Sequence, residues 1–514
     1  MKTRIETEVL TDEQGNPIGE GLVKMKIVQV MEGEELAGFL TTGVNSCIDE
    51  LKKKMCGYKF NTLFNAWLFF VRQIEEFINI RYEYGESIEE VFKCIHLDRK
   101  SELVGISSVV EKVFGTDINS RFIELTELFA GYSSGDFGEG KEREVDTLYD
   151  LLIFLQSRRL HIMTILNLIP IYAKGENIFC KESIPRKMGE WIGFLMNITT
   201  GCQAILEAKC LSDFYAKVTP KGLEFSRQYT HLDKHFLEPQ QLTPVELEQY
   251  RNDRLVSRET KNKRSICSKE EFELILRNDK AYNERYGITE KKEYKELVAF
   301  MDKMKMYFKD EYVIEVPQNE FERLQQTYSN LELYKEITDF EDIENSRYGF
   351  VKMDGVYYST YFMLIRYYTN CVMKMLRRRR KYQIEAGFVF EEQLKSILRN
   401  YGFDVKDDCK RIERKEFDVV CVKNGTIYNF QCKNNYINVS TIGLKKTKET
   451  CRRNRQLNSY YKAALCKEEG REHLLKKKLG IEKVTHYVIS RYPIMSDNER
   501  IIPFNKFEEW CEEN

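Results

Sequence analysis

This chain contains few prolines and no closely spaced pair of cysteines. The first observation limits the fold class, and the second limits the kinds of disulfide and metal site. Only 9 of the 514 residues are proline, and because proline disrupts helix interiors, this favours a mainly helical body. The 14 cysteines include no Cys-x-x-Cys pair, so neither a disulfide framework nor a zinc ribbon is indicated. We therefore expect a reducing, intracellular compartment.

Long hydrophobic runs are missing as well. The longest apolar stretches, near residues 63–71 and 161–173, are shorter than the roughly 20 residues that a membrane-spanning helix needs. The first residues of the chain lack the hydrophobic region of a signal peptide. We therefore expect a cytoplasmic protein with no membrane partner.

Net charge is close to zero, but this balance hides an asymmetry along the chain. Residues 372–514 hold 31 lysines and arginines against 20 aspartates and glutamates, a net of +11. The other 371 residues hold 49 basic and 61 acidic residues, a net of −12. A basic module on an acidic body fits contact with a phosphate backbone. We expect the acidic body either to repel nucleic acid at rest or to face a protein partner.

The most informative segment is residues 416–433, which predicts two β-strands joined by the two-residue turn Asn424-Gly425. Both central residues of such a turn need positive φ, which asparagine and glycine tolerate. The turn fixes the register, so Asp418 is predicted to face Gln431. Lys433 shares a face with Gln431 because side chains alternate along a strand. An acid, an amide and an ammonium group are thus predicted to converge.

Phosphodiester hydrolysis is the chemistry that uses such a group. A carboxylate such as Asp418 holds Mg²⁺, which prefers oxygen ligands, and the metal lowers the pKa of a bound water. Lys433 is expected to orient the attacking water and to add positive charge near the transition state. The amide of Gln431 and the carbonyl of Cys432 are further candidate metal ligands.

The pattern Asp418…Gln431-Cys432-Lys433 resembles the Asp…(Asp/Glu/Gln)-x-Lys signature of the restriction-endonuclease-like PD-(D/E)XK nucleases. Its glutamine is similar to that of the Mrr-like branch. The family supplies one more carboxylate from a preceding helix, which implies Glu391 here, with Glu392 as the alternate. The resemblance, over about residues 384–493, implies an endonuclease that depends on Mg²⁺ or Mn²⁺ and acts on DNA. Restriction or anti-phage defence is the implied role, and a homo-oligomer is the implied assembly.

The order of predicted elements matches the αβββαβ core of that family. It comprises a helix over residues 387–398, a strand over 403–406, the hairpin, a helix near 444–467 and a strand over 485–490. Phe390, Leu394 and Leu398 share one face of the first helix, as a buried helix requires. The glutamine is neutral where many relatives carry a carboxylate, which favours a single-metal site or one completed by substrate phosphate.

Two basic clusters are predicted to contact the nucleic-acid backbone without reading bases. They comprise Arg377, Arg378, Arg379 and Arg380 before the helix with Glu391, and Lys445, Lys446, Lys448, Arg452, Arg453 and Arg455 on the helix after the hairpin. The alternative for each cluster is a solvated helix face.

The rest of the chain reads as a large, mainly helical N-terminal body, giving a multidomain α+β fold. We predict a helical domain with a β-like start over residues 1–240, a charged connector and helical region over 241–371, and the nuclease domain over 372–514. Within them, residues 357–380 are predicted as one long helix, and residues 218–225 as a turn between helices.

Three alternatives to a DNA endonuclease stay open at this point. The fold could bind nucleic acid without cleaving it, although the intact Asp418 and Lys433 pair argues against this. It could be an RNA-cleaving effector, which competition between DNA and RNA substrates would distinguish. The helical body could instead be the main functional unit, a protein-interaction scaffold with a nuclease appendage.

Overall fold

The computed structural model of the chain describes residues 2–9, 23–84, 92–94, 96, 107–108, 111, 119–120, 123–124, 147–180, 183–220, 222–226, 269–340, 348–435 and 447–514. Within these residues the fold is mixed α+β, with long helices and several small sheets. No helix in the described ranges is long and apolar enough to cross a membrane.

The strands are, in chain order, β1 (Lys2–Val9), β2 (Val23–Glu32), β3 (Tyr215–Thr219), β4 (Gly222–Phe225), β5 (Val313–Pro317), β6 (Val351–Met353), β7 (Val356–Thr360), β8 (Asp404–Val405), β9 (Arg411–Ile412), β10 (Lys415–Glu416), β11 (Val419–Lys423), β12 (Thr426–Lys433), β13 (Val484–Ser490) and β14 (Ile501–Pro503). The α-helices are α1 (Gly33–Cys56), α2 (Phe60–Tyr84), α3 (Leu148–Tyr172), α4 (Ile184–Cys210), α5 (Lys269–Glu284), α6 (Lys292–Met304), α7 (Gln318–Thr327), α8 (Tyr361–Leu376), α9 (Arg380–Asn400), α10 (Thr447–Glu469), α11 (Glu472–Leu479) and α12 (Phe507–Glu513).

The chain divides into two compact units, each built from separated stretches of sequence. The first unit comprises Met1–Cys47, Asn197–Gln240 and Gly387–Asn514, and the second comprises Ile48–Met196 and Gln241–Ala386. The division into residues 1–240, 241–371 and 372–514 stays a prediction.

One sheet of the first unit is antiparallel and four-stranded, in the order β1-β2-β3-β4. The end of β2 pairs with β3, where Met31 lies opposite Ala216. The β-like start expected of the chain is therefore present as β1 and β2. The turn between helices predicted over residues 218–225 is wrong, because these residues continue into a hairpin whose first strand finds its partner in distant β2.

The second sheet of the first unit has five strands in the order β14-β13-β12-β11-β8. Strand β12 is central, antiparallel to β11 and parallel to β13. Helices α9 and α12 cover one face through a core that includes Phe390, Leu394, Phe430 and Phe507. On the other face, Val420 and Ile427 pack against Leu474 and Leu475 of α11. Helix α10 also lies on that face, where the Tyr461 hydroxyl is 3.3 Å from the Ser490 hydroxyl.

The second unit contains a three-stranded sheet, in the order β5-β7-β6, and long helices packed around buried aromatic rings. Helix α3 starts with a reciprocal cap in which Thr147 and Asp150 satisfy each other's backbone N–H groups. The helix predicted over residues 357–380 starts later, because Tyr357–Thr360 belongs to β7 and pairs with β5 and β6. Helix α8 begins at Tyr361 with Thr360 as its cap.

Candidate active site

The hairpin predicted from the sequence is present with the predicted register. Asn424 and Gly425 have φ angles of 50° and 69°, the left-handed values that this turn requires. Val419 pairs with Phe430 and Lys423 pairs with Thr426. Extending the register by one residue places Asp418 across from Gln431.

Asp418 lies just before β11, at the open end of the hairpin, where its side chain is partly buried. The peptide N–H of Cys432 donates to Oδ2 of Asp418 at 2.8 Å. Burial raises the pKa of Asp418 above its ordinary value, whereas the Cys432 hydrogen bond and the positive charge of Lys433 act in the opposite direction. The carboxylate is therefore held in place by backbone and faces a cation.

Gln431 and Lys433 occupy the same face of β12, as alternation along the strand dictates. The Nζ of Lys433 donates to Oε1 of Gln431 at 3.0 Å, and Gln431 is buried while Lys433 is partly exposed. The amide oxygen thus restrains the ammonium group without neutralising it.

Glu391 brings a second carboxylate to this end of the hairpin from α9. Its side chain is only 12% exposed and pairs with Lys410, whose Nζ lies 3.1 Å from Oε2. Burial raises the pKa of Glu391, the hydrogen bond from Lys410 opposes the rise, and the negative charge of Asp418 adds to it. The two carboxylates therefore lie close enough to act on each other.

Glu392, the alternate to Glu391, occupies a different environment. Its side chain is 57% exposed and its Oε1 pairs with Lys395 at 2.8 Å. Lys395 also binds Asp407, so this glutamate belongs to a separate ion-pair cluster. Glu391 is the carboxylate that faces Asp418.

Cys432 contributes its backbone to the site. Its N–H points to Asp418, and in a strand the N–H and C=O of one residue point to the same side. The Cys432 carbonyl therefore lies on the Asp418 side of β12. Burial, with the charges of Asp418 and Glu391, holds the pKa of the Cys432 thiol well above its ordinary value. The thiol is neutral, so the carbonyl is the group suited to a hard cation.

Whether these groups suit Mg²⁺ can be judged from their chemistry. Among the described residues, no group of three or more histidine, cysteine, aspartate or glutamate side chains is arranged to hold a metal. The set here has two carboxylates, of which Asp418 raises the pKa of Glu391, together with one amide oxygen and one peptide carbonyl, and all of these are hard oxygen donors. Mg²⁺ is commonly held by one or two carboxylates together with waters and substrate phosphate. The donor set fits that mode of binding.

A buried ion pair supports the hairpin beneath Asp418. Glu468 of α10 is fully buried and accepts from Nε of Arg471 at 2.9 Å. The guanidinium of Arg471 lies 4.6 Å from the ring centroid of Phe417, the residue before Asp418. The Nδ2 of Asn429, on the same strand face as Gln431, donates to Glu468 at 2.9 Å. The strand face that carries the site therefore rests on a fixed polar network.

His486 of β13 extends this network away from the site. Its Nδ1 lies 3.0 Å from Nδ2 of Asn429, and its Nε2 lies 3.3 Å from Glu472. Burial lowers the pKa of His486, and the contact with Glu472 opposes the change. A neutral imidazole protonated on Nε2 satisfies both neighbours.

The second basic cluster lies partly on α10. Lys448, Arg452, Arg453 and Arg455 are exposed, whereas Lys445 and Lys446 lie outside the described residues. The opposite face of α10 is buried, and Nδ2 of Asn454 donates to the Met495 carbonyl at 2.8 Å. The helix is therefore fixed to the segment after β13 while its basic side chains face solvent.

The first basic cluster belongs to the second unit, at the junction of α8 and α9. Arg379 donates to the Gly287 carbonyl at 2.5 Å, and the next cation, Lys381, donates to the Arg285 carbonyl at 3.0 Å. Arg378 and Arg380 are exposed, and Arg377 is partly exposed. At least Arg379 thus contributes to packing within its own unit.

Sequence reasoning missed Lys410 and the Glu468–Arg471 pair. Lys410 precedes β9 in an irregular segment with no periodic pattern, so nothing local shows that it reaches Glu391. Glu468 and Arg471 are three residues apart, which is a recognisable ion-pair spacing. The polar composition of this segment gives no indication in the sequence that the two side chains are buried.

Comparison with known proteins identifies no relative of this chain. No family model matches the chain, and neither the curated proteins nor the solved structures include a match.

Proposed function

We propose that this protein is a metal-dependent nuclease that hydrolyses phosphodiester bonds, acting as an endonuclease on DNA. The observation that carries the proposal is the convergence at one end of the hairpin. Asp418 is held there by the Cys432 N–H, beside the Gln431–Lys433 contact and within the electrostatic reach of Glu391.

The arrangement of elements supports the same reading. Helix α9, strands β8, β11 and β12, helix α10 and strand β13 occur in this order along the chain, and their strands share one sheet. The short strands β9 and β10 are inserted before β11, and helix α11 is inserted before β13. Apart from these insertions, this is the αβββαβ order of the restriction-endonuclease-like nucleases that the Asp…Gln-x-Lys pattern resembles.

Each side chain has a distinct part in the proposed reaction. Asp418, with the Gln431 amide oxygen and the Cys432 carbonyl, would hold Mg²⁺ or Mn²⁺. When bound, the cation would make a water more acidic and offset charge on the phosphate. Lys433, restrained by Gln431, would orient the attacking water and stabilise developing negative charge.

Glu391 has two available functions in this scheme. As a carboxylate facing Asp418, it can bind the cation through a water. As the partner of Lys410, it also fixes a further positive charge near the site. Both functions need Glu391 ionised, and a cation bound at the site would favour that state despite burial.

The exposed charge of the first unit supports a nucleic-acid substrate. Lys448, Arg452 and Arg455 recur at helical spacing on the exposed surface of α10. Such side chains fix the position of a phosphate backbone without reading its sequence. DNA as the substrate, a homo-oligomer that cuts both strands, and a role in restriction or anti-phage defence follow from the resemblance and are proposed on that basis.

The experiment is a substrate panel for the full chain. Supercoiled plasmid, linear duplex, single-stranded DNA and RNA are incubated with Mg²⁺, Mn²⁺ or EDTA. The proposal predicts metal-dependent cutting of circular DNA, with a linear product if the protein acts as a dimer. Preferential cleavage of RNA would favour the RNA-cleaving effector, and binding without cleavage under all conditions would favour the inactive nucleic-acid-binding protein.

A further inference from the structure

Lys410 contacts both the segment that leads into Asp418 and the helix that carries Glu391. Its carbonyl accepts a hydrogen bond from the peptide N–H of Phe417 at 3.0 Å, and Phe417 directly precedes Asp418. Its Nζ lies 3.1 Å from Oε2 of Glu391 on helix α9. One lysine therefore connects the two parts of the chain that supply the carboxylates of the proposed site.

The backbone of Lys410 is fixed, whereas its ammonium group is open to solvent. Its peptide N–H donates to the Asp407 carbonyl at 3.3 Å, in addition to the bond from Phe417. Its side chain is 46% exposed, and Nζ lies 4.5 Å from the ring centroid of Phe388, a ring that is itself exposed. The ammonium group can therefore change its partner by side-chain rotation, without movement of the backbone.

The charge of Lys410 is balanced by Glu391, and this balance decides when the lysine can act on a phosphate. Within the described ranges Glu391 is the only ion-pair partner of Lys410. An ammonium group has three N–H donors, so a phosphate oxygen can join or replace the carboxylate. The attraction for phosphate is greatest when another cation takes over Glu391.

The converse holds for a divalent cation that approaches Glu391. Such a cation is repelled by the ammonium group of Lys410, because like charges at short range raise the free energy of the site. A phosphate that draws Lys410 away from Glu391 removes this repulsion. Since coupling between two ligands is reciprocal, each of them then increases the affinity for the other.

We propose that Lys410 is an exchangeable partner of Glu391, which pairs with the carboxylate in the free protein and with a substrate phosphate in the complex. Through this exchange the cation and the nucleic acid favour each other's binding. The inference rests on the proposed nuclease function and extends it to a residue outside the Asp…Gln-x-Lys pattern.

The test measures the binding of cation and of DNA separately on the full chain at pH 8. Mn²⁺ is titrated without DNA by electron paramagnetic resonance, and the Mn²⁺ that Asp418→Asn fails to bind is assigned to the site. A labelled DNA duplex is titrated in EDTA by fluorescence anisotropy at several salt concentrations.

The exchange predicts opposite effects of Lys410→Met on the two ligands. The variant is expected to bind Mn²⁺ about 5-fold more tightly than wild type, because the competing ammonium group is gone. Its slope of log DNA affinity against log salt is expected to be smaller by about 0.9, the value for one lost phosphate contact. A lysine that only supports the fold would weaken both ligands or neither.

A neighbouring ion pair supplies the matched control. Nζ of Lys478 lies 3.0 Å from Oδ2 of Asp408, and the Lys478 side chain is 43% exposed, close to the value for Lys410. Lys478→Met removes an ion pair of the same chain segment and should leave both measurements unchanged. Lys410→Arg keeps the charge and should return both toward wild type. Lys410→Gln repeats the measurements if thermal unfolding shows that Lys410→Met is misfolded.

The outcomes separate this inference from the proposed function. Unchanged or weaker Mn²⁺ binding in Lys410→Met, or an unchanged salt slope, would overturn the exchange, and metal-dependent cleavage by wild type would then leave the nuclease proposal standing. Both expected changes, together with no cleavage by wild type, would support the exchange and contradict the nuclease. A wild type that binds no DNA, or binds Mn²⁺ no better than Asp418→Asn does, would overturn both.

Discussion

The peptide N–H of Cys432 donates to Oδ2 of Asp418 at 2.8 Å, and this single contact closes the open end of the hairpin. It ties the aspartate to the strand that carries Gln431 and Lys433. Because the bond comes from backbone, changes in neighbouring side chains leave it in place. The position of the carboxylate is thus set by the fold of the hairpin itself.

The turn that sets this geometry should be sensitive to a single methyl group. Gly425 has φ of 69°, so Gly425→Ala forces a left-handed alanine and should destabilise the first unit by about 1 kcal/mol. Gly38→Ala is the control, since Gly38 lies in helix α1 with open space around it and should gain stability. Urea unfolding of both variants measures the difference, and changes of the same sign would contradict the account.

The buried ion pair beneath Asp418 should matter far more than an exposed one. Arg471→Met leaves the fully buried Glu468 without its cation, at an expected cost of about 3–5 kcal/mol. Arg500→Met removes a pair in which both side chains are 42% exposed, and it should cost less than about 1 kcal/mol. Hydrogen exchange of the β11 and β12 peptides locates the effect. Unchanged protection in Arg471→Met would show that the pair does not support the hairpin.

The second unit should lose stability as pH rises, because of Asp279. Burial raises the pKa of Asp279 to about 6, above the roughly 3.9 of an unfolded chain. The folded state therefore binds the proton more tightly than the unfolded state does. The resulting contribution to the free energy of unfolding is present below about pH 4 and is lost as the pH rises through about 6. Asp279→Asn should match wild type near pH 4 and exceed it by about 3 kcal/mol at pH 7.

Thermal unfolding across this pH range tests the Asp279 prediction. Asp302→Asn is the control, because the Asp302 carboxylate is 58% exposed and pairs with Lys305. A gain that is equal at pH 4 and pH 7, or that also occurs in the control, would contradict the assignment to Asp279.

The exposed basic residues of α10 should act on affinity for nucleic acid. Replacing both Lys448 and Arg452 with glutamine should reduce the slope of log affinity against log salt by about 1.8 for duplex DNA. The loss should be equal for unrelated sequences, since phosphate contacts carry no base information. Lys467→Gln, near the other end of the helix, is the matched control. A sequence-dependent loss would indicate base contacts instead.

The hairpin could be predicted from the sequence because its determinants are local. Asn424 and Gly425 specify the turn, the turn specifies the register, and the register brings Asp418 to Gln431. The same holds for α9, whose apolar spacing marks the buried face. In both cases the necessary information lies within a few residues along the chain.

The predictions that failed depended on contacts between residues that are far apart in the sequence. Residues Tyr357–Thr360 look like the start of an aromatic helix, but they form β7 because β5, more than 40 residues earlier, supplies the partner strand. The helical prediction over them therefore failed on a contact that only the tertiary structure provides. Lys410 is a further example, since it acquires its place through Glu391, a residue on another element.

The most direct test of the central claim is cleavage of supercoiled plasmid by wild type, Asp418→Asn and Lys433→Met, with Mg²⁺ and with EDTA. Asp497→Asn is the control, because Asp497 accepts a hydrogen bond from the Ser212 N–H and lies outside the proposed site. We predict cutting by wild type and by the control with Mg²⁺ only. We predict a loss of about 1,000-fold or more in both site variants. Undiminished cutting by Asp418→Asn and Lys433→Met would contradict the account.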